Sequence, residues 1–451
     1  MTQPSPRPTR PSRTGRPTRG LGAVAILALA CGTVLAACSS SPSATSSSTT
    51  TPTVSSGANG ANTIDVGSIA TITGAGAGDF ASFIPGMQAY FDMVNAEGGV
   101  SGHHLVLAHD LDDGGNPTTF TQLAHTLIEQ DHAFAVFVST FWFSPNIFTT
   151  TGTPTYGYNV SGNWAGPDNL FAAGGSTQDY HAIAPPVSYL MKRAHANSVA
   201  LVSYGPGIPA SYPACSTLGQ DLRAAGIDVS YEDLDASLGG NFTSAAQQIA
   251  AHHSNFLVSC IEDSDDISLA RNLQQYGVKI GQLWLNGYDQ QLLDQYQSLM
   301  QGVYIDANGF VPFSAPTQFP GKYPGMELYL SEMHKYEPGY VTNQLAMQGW
   351  QSAALLAEGV KLAGSHPTAK TVIAATNRVT DFTAGGVSAP VDWTTAHTTQ
   401  SFPICPSFVQ VKDTAFVPVT TSGHQVFICF GQHTNLKDPV PVAPSPGTPG
   451  T

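Results

Sequence analysis

The chain has 451 residues, 42% of them hydrophobic, enough to bury a sizeable core and, at about 150 residues per domain, to form two or three domains. Charged side chains make up only 11%, and 45 glycines and 32 prolines point to many loops and an uncharged polar surface. The formal charge is −14; five of the 17 basic residues (Arg7, Arg10, Arg13, Arg16, Arg19) fall in the first 20 positions, and without them 12 bases face 31 acids, a net −19. Such a surface repels phosphate backbones and anionic headgroups, which argues against nucleic acid as a partner.

Residues 1–20 are rich in Pro and Arg, and Leu21 to Ala37 is uncharged and mostly apolar. The apolar run ends in Leu35-Ala36-Ala37-Cys38, followed by Ser39-Ser40-Ser41. A basic segment, a short apolar run and small residues before a Cys describe an export signal. Leu-Ala-Ala-Cys resembles the lipobox of bacterial lipoproteins, which implies a signal peptide over 1–37, acylation of Cys38 and an extracytoplasmic protein held to the outer face of the membrane by lipid. An uncleaved anchor is the alternative. Residues 38–62 are nearly all Ser, Thr, Pro, Gly, Ala and Asn without charge, the composition of a flexible tether. The Pro- and Gly-rich end, 438–451, is expected to be disordered.

With Cys31 in the signal and Cys38 lipidated, Cys215, Cys260, Cys405 and Cys429 remain. An even number outside the cytoplasm favours disulfides. Of three possible connectivities, Cys215–Cys260 and Cys405–Cys429 are expected, since each joins neighbours within one region.

From Thr63 the hydrophobic period alternates between strand and helix. Strand Thr63 to Ile72, helix Pro85 to Ala96, strand His104 to His109, helix Pro117 to Gln130 and strand Ala133 to Val138 give β-α-β-α-β. The order recurs: strand Ser198 to Ser203, helix Ala214 to Ala225, strand Ile227 to Tyr231, helix Phe242 to His252, strand Asn255 to Cys260, helix Asp266 to Gln275 and strand Ile280 to Leu285. A strand at Val303 to Ile305 follows, then helices Gly325 to Lys335, Thr342 to Ala363 and Ala369 to Arg378, and a terminal hairpin of Ser407 to Lys412 with His424 to Phe430. Two alternating runs predict an α/β protein of two doubly wound, Rossmann-like lobes, because right-handed crossovers are the common way to connect parallel strands.

Ile64-Asp65-Val66-Gly67, Thr73-Gly74, the stretch Asn95-Ala96-Glu97-Gly98-Gly99-Val100-Ser101-Gly102 and Asp112-Asp113 resemble the opening of the type I periplasmic-binding-protein family, branched-chain amino-acid-binding, of ABC importers. Gly240-Asn241-Phe242-Thr243 and Gln275-Tyr276-Gly277-Val278 resemble elements of its second lobe. The resemblance covers roughly residues 63 to 435. It implies three crossings between the lobes, a hinge of three strands and a ligand cleft between the lobes. The expected lobes are 63–184 with 318–382, and 185–317 with 383–437.

Carried over position by position, the resemblance implies ligand contacts after the first-lobe strands at Ser139, Thr140, Phe141, Trp142, Tyr158 and Asn159, with Tyr156 beside them. The second lobe would supply Tyr204, Tyr212, Glu262, Tyr288 and Asp289. Phe141-Trp142-Phe143 departs from the family's small polar turn, and an aromatic triplet can equally be core; the Thr140 hydroxyl and backbone N–H groups remain available to hold a carboxylate. The family's ammonium-binding acid aligns with Gly287, two residues before Asp289. In Glu262-Asp263-Ser264-Asp265-Asp266, helix capping is the competing role for Asp265 and Asp266.

Gly74-Ala75-Gly76-Ala77-Gly78 lacks the third glycine of a dinucleotide fingerprint, position 79 being Asp, and the paired histidines 103–104 and 252–253 lack metal-ligand spacing. HExxH and GxSxG are absent from the sequence. The expected protein is a monomeric solute-binding lipoprotein without cofactor, metal or catalysis, which captures a small polar organic solute such as an amino acid or amide and hands it to an ABC permease. A sensing lipoprotein of the same fold and an extracellular enzyme are the alternatives.

Overall fold

Strand and helix alternate along the chain as their hydrophobic periods require, and the computed structural model describes residues 55–56, 62–209 and 211–451. The export signal, Cys38 and most of the tether lie outside the described residues. The first lobe opens with β1 (Ser55–Ser56), β2 (Asn62–Ala70), α1 (Ala77–Phe80), α2 (Phe83–Ala96), β3 (His103–Asp112) and α3 (Pro117–His125). It continues through β4 (Ala135–Ser139), α4 (Asn146–Thr151), β5 (Thr155–Gly157) and β6 (Leu170–Ala172). The second lobe holds α5 (Ala184–Arg193), β7 (Ser198–Tyr204), α6 (Ser211–Ala224), β8 (Asp228–Ala236), α7 (Thr243–Ala251), β9 (Phe256–Cys260), α8 (Asp263–Gln275), β10 (Gly281–Trp284), α9 (Gln290–Met300) and β11 (Tyr304–Asp306). The chain then returns with α10 (Ala315–Gln318), α11 (Pro324–Tyr336), α12 (Gln344–Ala363) and α13 (Ala369–Thr376), and finishes on β12 (Phe408–Lys412) and β13 (Ala415–Pro418).

The two sheets share one order. In the first, β3, β2, β4, β5 and β6 lie side by side and parallel; in the second, β8, β7, β9, β10 and β11 do the same, followed by antiparallel β12 and β13. Each sheet therefore reverses its winding once, between β2 and β4 and between β7 and β9. Open parallel sheets bind ligands at the carboxyl ends of the strands beside such a reversal.

The returning helices belong to the first lobe. Gly349 of α12 and Gly86 of α2 let the two helix backbones touch: a Cβ at Gly349 would stand 1.9 Å from the Phe83 carbonyl oxygen, and one at Gly86 1.9 Å from that of Ala346. Trp350 lies edge-on to both Tyr90 and Tyr329, at 4.9 and 5.3 Å, and ties α11 into the same core.

Four expectations need correction. Residues 383–400 stay with the first lobe instead of opening the last second-lobe segment: Trp393 and His397 both pack on Phe171 at 5.2 Å, and the Ala396 carbonyl accepts from the Ser176 and Thr177 amides. The hairpin partner of β12 is β13, whereas residues 424–430 form only isolated bridges. The expected disordered tail is packed, with the Val442 amide bonded to the Cys429 carbonyl at 2.8 Å and Thr448 buried. Within the expected tether, Ser55 and Ser56 pair antiparallel with Thr63 and Asn62. Both expected disulfides, Cys215–Cys260 and Cys405–Cys429, are formed.

Candidate functional site

A cavity of about 390 Å³ opens between the lobes at the carboxyl ends of both sheets, within the range of small-molecule sites. The first lobe gives it an aromatic wall. Gly76, at φ 88°, starts the short helix α1 after β2 and projects Asp79 and Phe80 into the cleft. Phe141, after β4, meets Phe80 edge-on at 4.5 Å, and Tyr158, after β5, lies 6.1 Å from Phe80.

The second lobe gives an acidic wall. Glu262 stands two residues beyond β9, and α8 starts at the next residue, so Glu262 and Asp263 face α1 across the cleft. Carboxylate oxygens of Asp79, Glu262 and Asp263 all lie within 4.8 Å of one another. Burial, then Asp263 and Glu262, raise Asp79 well above the ordinary carboxylate range. Burial, then the Glu262 charge, push Asp263 up to about 7. Asp306, at the end of β11, accepts the Asn308 amide at 2.8 Å and is pushed by burial to about 7. The Tyr158 phenol is raised by burial and by Asp79 and Asp306. Among the described residues, no lysine, arginine or histidine lines the cavity.

Further polar atoms complete the lining. Gln348 and Gln351 of α12 are each 3% exposed, both line the cavity, and neither Oε1 has a partner, although the Gln351 Nε2 donates to the Ser388 hydroxyl at 2.9 Å. The Asn159 Nδ2 donates to the Gly175 carbonyl at 2.6 Å, which leaves its buried Oδ1 as an unpartnered acceptor.

Among the residues expected at the site, Phe141, Tyr158, Asn159, Tyr204 and Glu262 line this cavity and the others do not. The Ser139 hydroxyl is spent on the Phe80 carbonyl. The Thr140 hydroxyl accepts from Thr71 at 3.0 Å and from the Trp142 amide at 3.2 Å. The Trp142 side chain packs among hydrophobics of the first lobe, Phe80 and Phe141 included, without lining the cavity. Tyr156 is wholly buried and stacked between Phe137 and Phe171. Tyr212 sits on α6 away from the cavity, where its neighbour Ser211 accepts from the Tyr204 amide and donates to the Cys260 carbonyl. Tyr288 is core, stacked on Phe313 at 4.0 Å, and Asp289 caps α9 by accepting the Leu292 amide at 2.9 Å.

Capping is not what the α8 acids do: no side chain caps that helix. Asp265 instead accepts the Tyr204 hydroxyl at 2.6 Å and the Gly239 amide at 2.8 Å, while the Tyr204 oxygen accepts the Glu262 amide at 3.0 Å. The tyrosine thus positions the backbone that carries Glu262. Sequence reasoning missed Asp79, Phe80, Asp306, Gln348 and Gln351. Of these, only Asp79-Phe80 had a signal, a polar–aromatic pair directly after a Gly-rich strand end.

A profile of the periplasmic binding protein family matches residues 63–415. No curated protein sequence matches the chain. Among solved structures, a fatty acid ABC transporter substrate-binding protein from Thermomonospora curvata superposes with a TM-score of 0.67 at 18% identity, covering 85% of this chain and 96% of its own. A branched-chain amino acid ABC transporter protein from Thermus thermophilus with bound valine gives 0.67 at 16%, covering 82% and 97%. The Streptococcus pneumoniae branched-chain amino acid transporter substrate-binding protein in complex with isoleucine gives 0.63 at 16%, covering 79% and 99%. These likenesses establish the two-lobed fold, and with the family match over most of its length the chain belongs to the periplasmic binding protein family.

Proposed function

We propose that the protein captures a small organic solute between its lobes and delivers it to an ABC permease, without making or breaking a bond. The observation that carries this reading is the cavity itself: a space of about 390 Å³ at the winding reversals of both sheets, walled by one lobe on each side. Its open and closed states would interconvert through the three segments that link the lobes, and differential affinity for the closed state would drive capture. The solved structures of this fold include substrate-binding proteins of ABC transporters for fatty acids and for branched-chain amino acids, which supports the assignment to transport.

The sequence before residue 55 supports an extracytoplasmic protein anchored through an acylated Cys38. Among the described residues no helix is long and apolar enough to cross a membrane. Native mass spectrometry of the protein, followed by thermal-shift screening with amino acids, amines, amides and short carboxylates, tests the reading. A retained small molecule, or a probe that raises the melting temperature and is recovered unchanged, is the expected result. Turnover of the bound probe would make the protein an enzyme instead.

A further inference from the structure

We infer that the solute of this cleft is an organic cation with several N–H donors and no carboxylate, of the alkyl diamine or polyamine class. This inference rests on the solute-capture reading and names its ligand. Three independent features of the lining lead to it.

The first is charge. Asp79, Glu262 and Asp306 line the cavity, Asp263 stands within the same carboxylate cluster, and among the described residues no basic side chain lines it to neutralise them. Asp79 is only 7% exposed and among the described residues no donor reaches its carboxylate, so ionising it is costly unless a cation arrives with the ligand. The second is hydrogen-bond polarity. Of the unpartnered buried atoms at this cavity, those of Asn159, Gln178, Gln348 and Gln351 are carbonyl oxygens, which accept and cannot donate, against one amide donor, the Asn308 Nδ2, and the Thr177 hydroxyl, which can do either. The Asn159 orientation is fixed by its bond to Gly175. A ligand rich in N–H groups satisfies the four carbonyl oxygens, whereas a carboxylate finds only the Asn308 amide and the Thr177 hydroxyl. The third is the absence of the expected anion-holding donors from the lining: Ser139 donates to the Phe80 carbonyl, Thr140 is bonded by Thr71 and the Trp142 amide, and neither residue lines the cavity. An α-amino acid would therefore place its carboxylate against acids and carbonyls, and a fatty acid would do so without any compensating ammonium.

The remaining wall is apolar. Phe80, Phe141 and Tyr158, with Leu283 and Leu285 opposite, suit methylene groups and offer π-faces to an ammonium. A bare metal ion would fill the Asp79–Glu262–Asp263 cluster but leave the carbonyls of α12 and most of the cavity unmatched. Because Asp79 belongs to one lobe and Glu262 and Asp263 to the other, a cation between them also favours the closed arrangement that like charges oppose.

The test titrates the full chain in detergent with 1,4-diaminobutane and its three- to six-carbon relatives, L-leucine, hexanoate and calcium chloride, by calorimetry. A diamine is expected to bind, with D79N and E262Q each weakening it by about tenfold or more, and E332Q, at the Lys335 ion pair of α11 outside the cavity lining, leaving it unchanged. Should one of the two cleft variants fail to fold, the other carries the comparison. L-leucine or hexanoate binding in place of amines would overturn the class and leave solute capture standing. Calcium binding alone, or diamine binding undiminished in both cleft variants, would equally overturn it. Binding of no probe, with no small molecule retained in native mass spectrometry, would sink the solute-capture reading as well.

Discussion

The two walls of the cleft are built by the same strand order and reach opposite chemistry. At the first-lobe reversal, the residues after β2 and β4 are Phe80 and Phe141, and behind them Phe143 lies flat on Trp164 at 4.0 Å. At the second-lobe reversal, the end of β7 carries a tyrosine hydrogen-bonded to Asp265 and the segment after β9 a run of acids. Topology thus decides where a site stands, and loop residues decide what it holds. The aromatic wall is filled by packing, whereas the acidic wall is held by hydrogen bonds and a disulfide. Destabilising the two walls should therefore look different.

The largest effect is expected at the support of the aromatic wall. Trp164→Ala removes a fully buried indole from the Phe143–Phe148–Phe120 cluster and should cost about 4 kcal/mol in urea unfolding. In the acidic wall, the Cys215–Cys260 bridge links α6 to the end of β9 and closes 45 residues of chain. Its removal in a C215S/C260S double variant should cost about 3 kcal/mol and, because Cys260 also lines the cavity, weaken ligand binding. Tyr204→Phe should cost about 2 kcal/mol by stripping Asp265 of its hydroxyl donor and the Glu262 amide of its acceptor. If Tyr204→Phe proved as costly as the loss of Trp164, the acidic wall would have to be a packed core rather than a hydrogen-bonded one.

The layout was legible in the sequence and the lining only in part, for definable reasons. Strand and helix periods are local, so β2, α2, β3 and the repeat of that order from β7 onward could be read within a few residues. Position after a strand end located Phe141, Tyr158 and Glu262. The same rule failed at Tyr288, because Gly287 at φ 88° turns the chain and the tyrosine folds back onto Phe313. Gln348 and Gln351 sit in a helix rich in Ala and Leu that reads as core; only tertiary packing, the α2–α12 contact at Gly86 and Gly349, determines that one edge of it reaches the cleft. Ser139 and Thr140 have the right residue types in the right place, yet their hydroxyls are claimed by the Phe80 carbonyl and by Thr71 and the Trp142 amide, contacts distant in sequence.

The smallest effects are the ones that separate the walls electrostatically. Carboxyl groups whose folded pKa lies above the unfolded value bind more protons when folded, so their contribution is fully present below the unfolded pKa and is lost as pH rises through the folded one. Asp263 and Asp306, both pushed to about 7, with Asp79 raised by burial and by its acidic neighbours, place that loss between roughly pH 4 and pH 7. The unliganded protein should accordingly melt about 3 °C or more higher at pH 5 than at pH 8, a slope measurable by differential scanning calorimetry. Asp79→Asn keeps the shape of the side chain and removes the one first-lobe charge from the cluster. It should raise the unliganded melting temperature at pH 8 by about 2 °C, leave that at pH 5 almost unchanged and flatten the pH slope. Trp164→Ala, by contrast, should shift the whole profile downward without changing its slope, because the indole stacks on Phe143 within an apolar cluster. A D79N protein with an unaltered slope would mean that the carboxylates on the second lobe carry the pH dependence by themselves, and that like-charge repulsion across the cleft does not oppose closure.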